Sequence, residues 1–233
     1  MAINSWSHSK LGDFEKCKFL AWLKHDQRIP EPPRPLPQGK SEHANDRGSR
    51  IHDAAEHFVD GTGPFIPELK EFEQEFVHLK HLYAAGKVSL EGEWAMDEDW
   101  NPAPWKTGWH RSKLDALVHA SDTEAVVIDY KSGKKFGNEI KHAEQTQLYS
   151  LNAFLRYPML ETVHAELWYL DVKELTRMTY TRDQGLRFQR SWDRRGHALT
   201  DASEFPPNPN MFSCKWCPYG PDGTGHCAVG VRK

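Results

Sequence analysis

A mixed α/β fold, one sheet with helices on both sides, is what this 233-residue sequence predicts. Three observations predict it. Apolar, β-branched runs of strand length cluster between residues 88 and 131 and again between 162 and 181. Helical periodicity fills the segments before, between and after them. The resulting order is helices, three strands, a helix, two strands and a helix, which is not a repeated strand–helix–strand series, so the sheet is expected to be mixed. No internal repeat or low-complexity block interrupts it.

Ser7 or Ser9 can cap a first helix running to about Lys24, with Leu11, Phe14, Phe19, Leu20 and Leu23 as its apolar positions. Five prolines in the eleven residues 29–39 end it, because proline lacks the amide a helix needs. Ile51, Ala54, Ala55 and Phe58 mark a second helix over about 45–59, and a more polar third covers about 68–84. Strands are expected at about 88–96, 109–119 and 125–131, the last two joined by a hairpin loop at 120–123. Leu148, Leu151 and Leu155 recur at helical spacing within 139–157, and Pro158 closes that helix. Segments 162–170 and 175–181 read as further strands and 184–199 as a last helix.

At this length a single domain over 1–233 is expected, its core at about 45–200. A formal charge of −3 excludes a strongly basic coat but not a locally basic groove. There is no apolar run of membrane-spanning length and no charged-then-apolar leader, so neither a membrane span nor a signal peptide is expected. Met1-Ala2-Ile3-Asn4-Ser5-Trp6 reads as a cytosolic start. In a reducing compartment Cys17, Cys214, Cys217 and Cys227 suggest a metal site rather than disulfides.

The chemistry concentrates in Ile128-Asp129-Tyr130-Lys131-Ser132-Gly133, with Asp115 fourteen residues before Asp129. Alternation along a strand puts Asp129 and Lys131 on one face and Ile128 and Tyr130 on the other. A short hairpin would set Asp115 opposite Asp129 with Cβ atoms roughly 5 Å apart, a repulsive pairing unless a cation intervenes. Two such carboxylates can clasp Mg²⁺ or Mn²⁺, polarising a phosphodiester while Lys131 stabilises developing charge. The plainer reading is an ion pair between Asp129 and Lys131 at a sheet edge.

His52 and Glu56 stand one helical turn apart, with Gly48 a turn earlier permitting close approach. No zinc-protease motif accompanies them. Gln145 and Tyr149 sit four apart beside the leucine stripe, able to hydrogen-bond phosphate or order Lys131. Gly39-Lys40-Ser41 is not a phosphate loop, because Arg34 stands where the leading glycine is required. Lys131, Lys134, Lys135 and Lys141, with Arg187, Arg190, Arg194 and Arg195, could track a nucleic-acid backbone. Trp100, Trp105 and Trp109, where exposed, are candidates for stacking on unpaired bases, though core packing is their expected fate. The cysteines can form a four-thiolate site for Zn²⁺ or an iron–sulfur cluster, with His226 as an alternative fourth ligand.

Taken in order, Gly48…His52, Asp115, Asp129-Tyr130-Lys131 and Gln145…Tyr149, flanked by one early and three late cysteines, resemble the RecB-like branch of the PD-(D/E)XK nuclease superfamily. Within it they look most like stand-alone CRISPR-associated and phage exonucleases carrying a 4Fe-4S cluster. Ser7-His8-Ser9-Lys10-Leu11, with Cys17 and Phe19, opens the resemblance and Cys227 ends it. The sequence departs from the family in lacking a glycine shortly before Asp115, where Arg111, Ser112 and Lys113 stand, and in the long spacing to Cys227.

The resemblance implies a restriction-endonuclease-like core with a cysteine-stapled subregion from residues 1–28 and 206–233. It implies a metal held by His52, Asp115, Asp129 and the Tyr130 carbonyl, with Lys131 catalytic and Gln145 and Tyr149 the accessory pair that positions it or the DNA; Glu56, on the same helix face as His52, joins them as a catalytic candidate. Lys134, Lys135, Arg187 and Arg190 would meet DNA, and Cys17, Cys214, Cys217 and Cys227 would hold the cluster, with Zn²⁺ as the alternative. The implied activity is a Mg²⁺- or Mn²⁺-dependent DNA exonuclease acting on ends or single strands in recombination, repair or CRISPR adaptation, with a possible partner protein. Its implied setting is the cytoplasm of a bacterial or phage-infected cell. The rival reading is a non-catalytic, metal-stapled nucleic-acid-binding protein, or a structure-specific endonuclease subunit of a larger assembly.

Overall fold

The computed structural model describes residues 3–133 and 135–232. Met1 and Ala2 of the expected cytosolic start, and Lys134 of the basic set, lie outside the described residues. The chain opens with α1 (His8–Lys16), α2 (Lys18–Ala21) and a π-turn at Trp22–Asp26. Next come α3 (Ala44–Asp60), a 3₁₀ turn (Pro67–Phe72) and α4 (Glu73–Ala84). Strands β1 (Val88–Met96), β2 (Pro102–Ala103), β3 (His110–His119) and β4 (Glu124–Lys131) precede α5 (Glu139–Arg156). After β5 (Thr162–Tyr169) and β6 (Glu174–Thr181) follow α6 (Arg182–Arg187), α7 (Gln189–Thr200) and α8 (Met211–Cys214).

The sheet has the order β2-β1-β3-β4-β5-β6. Every pairing between these strands is antiparallel except β4–β5, which α5 makes parallel by crossing one face. That face packs Ala125, Val127 and Val163 against Tyr149, Ala153 and Phe154 of α5. The opposite face packs Ala116, Val118, Ile128 and Tyr130 against Ile51 and Ala55 of α3 and Phe76 of α4. The alternation along β4 therefore sends Asp129 and Tyr130 to different layers, and α3 and α5 approach the end of β4 from opposite sides. Among the described residues no helix is long and apolar enough to cross a membrane.

Three expected helices are interrupted. The first breaks at Cys17, whose backbone is extended (φ −163°, ψ 116°). There the Asn208 side chain donates to the Lys16 carbonyl and its backbone N–H points at the Cys17 sulfur, so the C-terminal tail substitutes for the lost helical bonds. The third expected helix starts as a 3₁₀ turn behind Pro67, and the last divides at Phe188 after a capping box of Thr181 and Gln184.

A separate aromatic core joins the N-terminus to the beginning of β3. Trp6 makes a lone parallel bridge to His110, and its ring meets those of Trp100, Trp109 and Trp192. Trp100 and Trp109 are each 3% exposed, so core packing, not base stacking, is their role. Gly196 of α7 lets these rings close: a Cβ there would lie 2.5 Å from Trp6 Nε1 and 2.6 Å from the Trp109 ring.

In an open helix Gly→Ala stabilises by up to about 1 kcal/mol. Here the clash reverses the sign, and Gly196→Ala is expected to lower stability by about 1–3 kcal/mol, read from urea unfolding midpoints.

Candidate active site

Hydrogen bonding between β3 and β4 runs His119↔Ala125, Val118↔Val126, Leu117↔Val127 and Ala116↔Ile128, then ends. The next register position is Asp115 beside Asp129, so the expected pairing is approached but the ladder no longer joins them. In place of a ladder carbonyl, the Asp115 carboxylate accepts the Tyr130 N–H through Oδ2 at 2.5 Å. Its Oδ1 lies 2.7 Å from His52 Nδ1. With Nδ1–H as the donor, Nε2 of His52 carries the lone pair that could ligate. Burial disfavours a charged His52, yet the hydrogen bond and charge of Asp115, with Asp129 behind it, outweigh burial and raise the imidazole pKa.

Asp129 is 4% exposed. Burial pushes its carboxyl pKa up, with repulsion from Asp115 adding to it, while Lys131 opposes the shift. The Lys131 Nζ lies 2.5 Å from Asp129 Oδ2 and donates to Gln145 Oε1 at 2.8 Å. Gln145 Nε2 in turn reaches Asp129 Oδ1 (3.3 Å) and the Tyr149 hydroxyl (2.6 Å), and that hydroxyl donates to the Lys113 carbonyl (2.6 Å). α5 thus holds lysine and carboxylate through one amide side chain, anchored to β3 by a tyrosine whose pKa burial keeps well above the usual phenol value.

α3 is fixed to the same place. Arg47 donates to the Ser132 carbonyl (2.7 Å) and to both oxygens of Asp171. A Cβ at Gly48 would stand 3.3 Å from Ser132 Oγ, so the glycine allows this approach of helix to loop. Sequence reasoning missed Arg47 and Asp171. One arginine beside a helical glycine looks like any solvated cation, and only Gly48 signalled the contact.

The structure therefore brings His52, Asp115, Asp129, Tyr130, Lys131, Gln145 and Tyr149 together. Glu56 sits one turn beyond His52, without a described hydrogen bond to the cluster, its carboxyl pKa raised first by burial. Lys135 is engaged with Glu174 at 2.6 Å and lies over the Tyr169 ring. Arg187 and Arg190 are exposed on α6 and α7, and Arg195 is paired with Glu15 and Glu144. Lys10, Arg111 and Lys113 line the groove beside Lys131 instead, together with Lys141, and of these only Lys141 was singled out from sequence.

All four cysteines are free thiols and line one pocket at the junction of α1, α2 and the C-terminal tail. Backbone amides point at them: Asn208 N–H to Cys17 Sγ (3.3 Å) and Asn210 N–H to Cys214 Sγ (3.4 Å). Burial raises the Cys217 and Cys227 pKa values against the lowering effect of backbone N–H groups at Tyr219 and Gly220, and at Val229 and Gly230. His226 is turned to Thr224 Oγ1 at 2.7 Å. Among the described residues no three His, Cys, Asp or Glu side chains converge tightly enough to hold a metal ion as they stand. In the carboxylate site, Lys131 and His52 occupy the acidic oxygens. The donor types still suit Mg²⁺ or Mn²⁺ there, and a thiophilic metal at the cysteines.

The sheet thus carries one parallel step, and where β3 and β4 part it sets a carboxylate from each strand beside a lysine of β4. The sequence matches the profile of the PD-(D/E)XK nuclease superfamily over residues 5–221, and the chain belongs to that superfamily. No curated protein matches it. Among solved structures it overlaps SSO0001 at 13% identity and TM-score 0.48, covering 98% of this chain and 88% of that one. It also overlaps an alkaline exonuclease (LHK-Exo) from Laribacter hongkongensis at 12% identity and TM-score 0.34, covering 84% and 86%. At these values the overlaps carry no inference about chemistry; the family assignment rests on the sequence match.

Proposed function

We propose that this nuclease is a divalent-metal-dependent deoxyribonuclease acting from DNA ends, with its chemistry at Lys131. The observation that carries the reading is the buried Asp129–Lys131–Gln145 cluster next to the Asp115–His52 pair. Burying two carboxylates costs several kcal/mol per charge unless cations compensate them, and such clusters concentrate at functional sites. His52, Asp115, Asp129 and the Tyr130 carbonyl would hold Mg²⁺ or Mn²⁺, which supplies Lewis acidity toward the phosphodiester and its attacking water.

The chain's own groups do the rest. Lys131 presents an ammonium to the developing phosphate charge, and Gln145 fixes its direction while Tyr149 fixes Gln145. His52, oriented by Asp115, presents Nε2 to the same site. Attack by water breaks the P–O3′ bond and leaves a 5′-phosphate and a 3′-hydroxyl. Glu56 has no described partner in the cluster and is assigned an accessory role. For the thiols we propose a 4Fe-4S cluster that staples α1 to the tail, with Zn²⁺ as the alternative occupant.

Linear and covalently closed circular DNA, incubated with Mn²⁺ or Mg²⁺, test the reading. Wild type is expected to degrade linear DNA and spare the circle, and EDTA to stop it. Lys131→Ala is expected to slow cleavage by about 10²–10³-fold and, because it leaves the buried Asp129 without its cation, to lower the melting temperature while the protein stays folded by circular dichroism. A wild-type protein that binds DNA and cuts neither form would establish the non-catalytic reading instead. For the cysteines, anaerobically purified protein should absorb near about 400 nm and contain iron and sulfide. Colourless, zinc-containing protein would overturn the cluster.

A further inference from the structure

Beside Lys131 a groove opens between the first turn of α1, the beginning of β3 and the turn that follows β2. Its chemistry is one-sided. Lys10, Arg111, Lys113, Lys131 and Lys141 line it, and among the described residues neither Lys10 nor Arg111 pairs with a carboxylate. Lys10 is half-buried and donates only to the carbonyl and hydroxyl of Ser5, both at 3.3 Å. Burial, then repulsion from Arg111 and Arg28, lowers its pKa, a tension that a bound anion would relieve. Arg111 is fastened by the carbonyls of Lys106 (2.9 Å) and Gly108 (3.3 Å), which position the guanidinium without neutralising it. Lys113 is shared with Glu93 at 3.1 Å on open surface, an ion pair of little energetic weight.

Trp105 sits among these cations. The Arg111 guanidinium lies 5.6 Å from its ring centroid and the Lys113 ammonium 6.0 Å. Unlike Trp100 and Trp109 it is only half-buried, on a turn closed by Thr107 and Gly108 N–H bonds to the Pro104 carbonyl. Core packing does not account for an indole in that place. An aromatic face beside the guanidinium of Arg111 and the ammonium of Lys113, in a groove ending at a phosphate-directed lysine, has the elements of a single-strand site: stacking for bases, positive charge for the backbone. Away from its ends a duplex does not offer its base faces to such a surface.

We propose that this groove is a single-strand track, in which Trp105 stacks on an unpaired base while Lys10 and Arg111 hold flanking phosphates and lead the strand to Lys131. The proposal rests on the nuclease reading of the Lys131 site and deepens it by naming the substrate form. Trp105 and Lys10 are positioning residues; their effect falls on affinity and KM.

Anisotropy of a fluorescein-labelled oligothymidylate and of a blunt-ended hairpin duplex, both in EDTA, tests it on wild type, Trp105→Ala, Trp105→Phe and Lys10→Gln. Trp105→Ala should weaken oligothymidylate binding roughly tenfold or more, Trp105→Phe should restore most of it, and hairpin binding should change less than about twofold. Lys10→Gln should reduce the magnitude of the log–log salt slope by about 0.7, the loss of one single-strand phosphate contact. Equal losses on both DNAs, or wild-type binding by Trp105→Ala, overturn the track. If wild type and Trp105→Ala differ as stated but wild type cuts no DNA with Mn²⁺, the nuclease reading falls and the track stands. If wild type cuts and Trp105→Ala binds normally, the reverse holds.

Discussion

The candidate site exists because the β3–β4 ladder stops at Ala116↔Ile128. Where it stops, the Asp115 carboxylate replaces the missing backbone acceptor for Tyr130, and the two acids share a partly enclosed space. Everything around them compensates that arrangement. Lys131 neutralises Asp129, His52 supports Asp115, Gln145 and Tyr149 fix the lysine, and Arg47 holds α3 against the following loop. Removing one partner would leave a buried charge unpaired, which is far more costly than losing a surface ion pair. The two helices approach from opposite faces, so the site also ties the layers of the fold together.

The N-terminal segment links this site to the cysteine pocket. α1 presents Ser7, His8 and Lys10 to the groove at one end and reaches Cys17 at the other. Burial foremost lowers the His8 pKa to about 4, so this groove histidine is neutral near pH 7 and adds no charge to the lysines. At Cys17 the helix gives up its regular bonds to meet Asn208 and the tail cysteines. A metal or cluster bound by those thiols would thus fix the helix whose first turn forms one wall of the proposed strand track. Its contribution to function would be mechanical, at a distance from the chemistry.

Much of this was legible in the sequence for identifiable reasons. Apolar, β-branched runs placed β1, β3, β4, β5 and β6 within a residue or so, and the leucine stripe placed α5. Asp115, Asp129, Lys131, Gln145 and Tyr149 stood out because polar residues at the end of an apolar strand, and a polar pair beside an apolar stripe, need a reason to be there. What was not legible depends on contacts between distant segments. The break at Cys17 needs Asn208, the split at Phe188 has no proline or glycine to announce it, and the two-residue β2 is too short to show a period. Surface cations look alike in sequence, so Arg187 and Arg190 were chosen while Lys10 and Arg111, beside the site only after folding, were not. Trp100, Trp105 and Trp109 were likewise indistinguishable until two became core and one stayed at the groove.

The central claim is that Asp115 and Asp129 form one divalent-cation site, with Lys131 balancing the charge of Asp129 and His52 hydrogen-bonded to Asp115. Calorimetric titration with Mn²⁺ tests it without any DNA present, on wild type, Asp115→Asn and Asp129→Asn, with folding checked by circular dichroism. Saturable binding by wild type that either substitution abolishes is the predicted result. Mn²⁺ bound equally well by wild type and both folded variants would contradict the account.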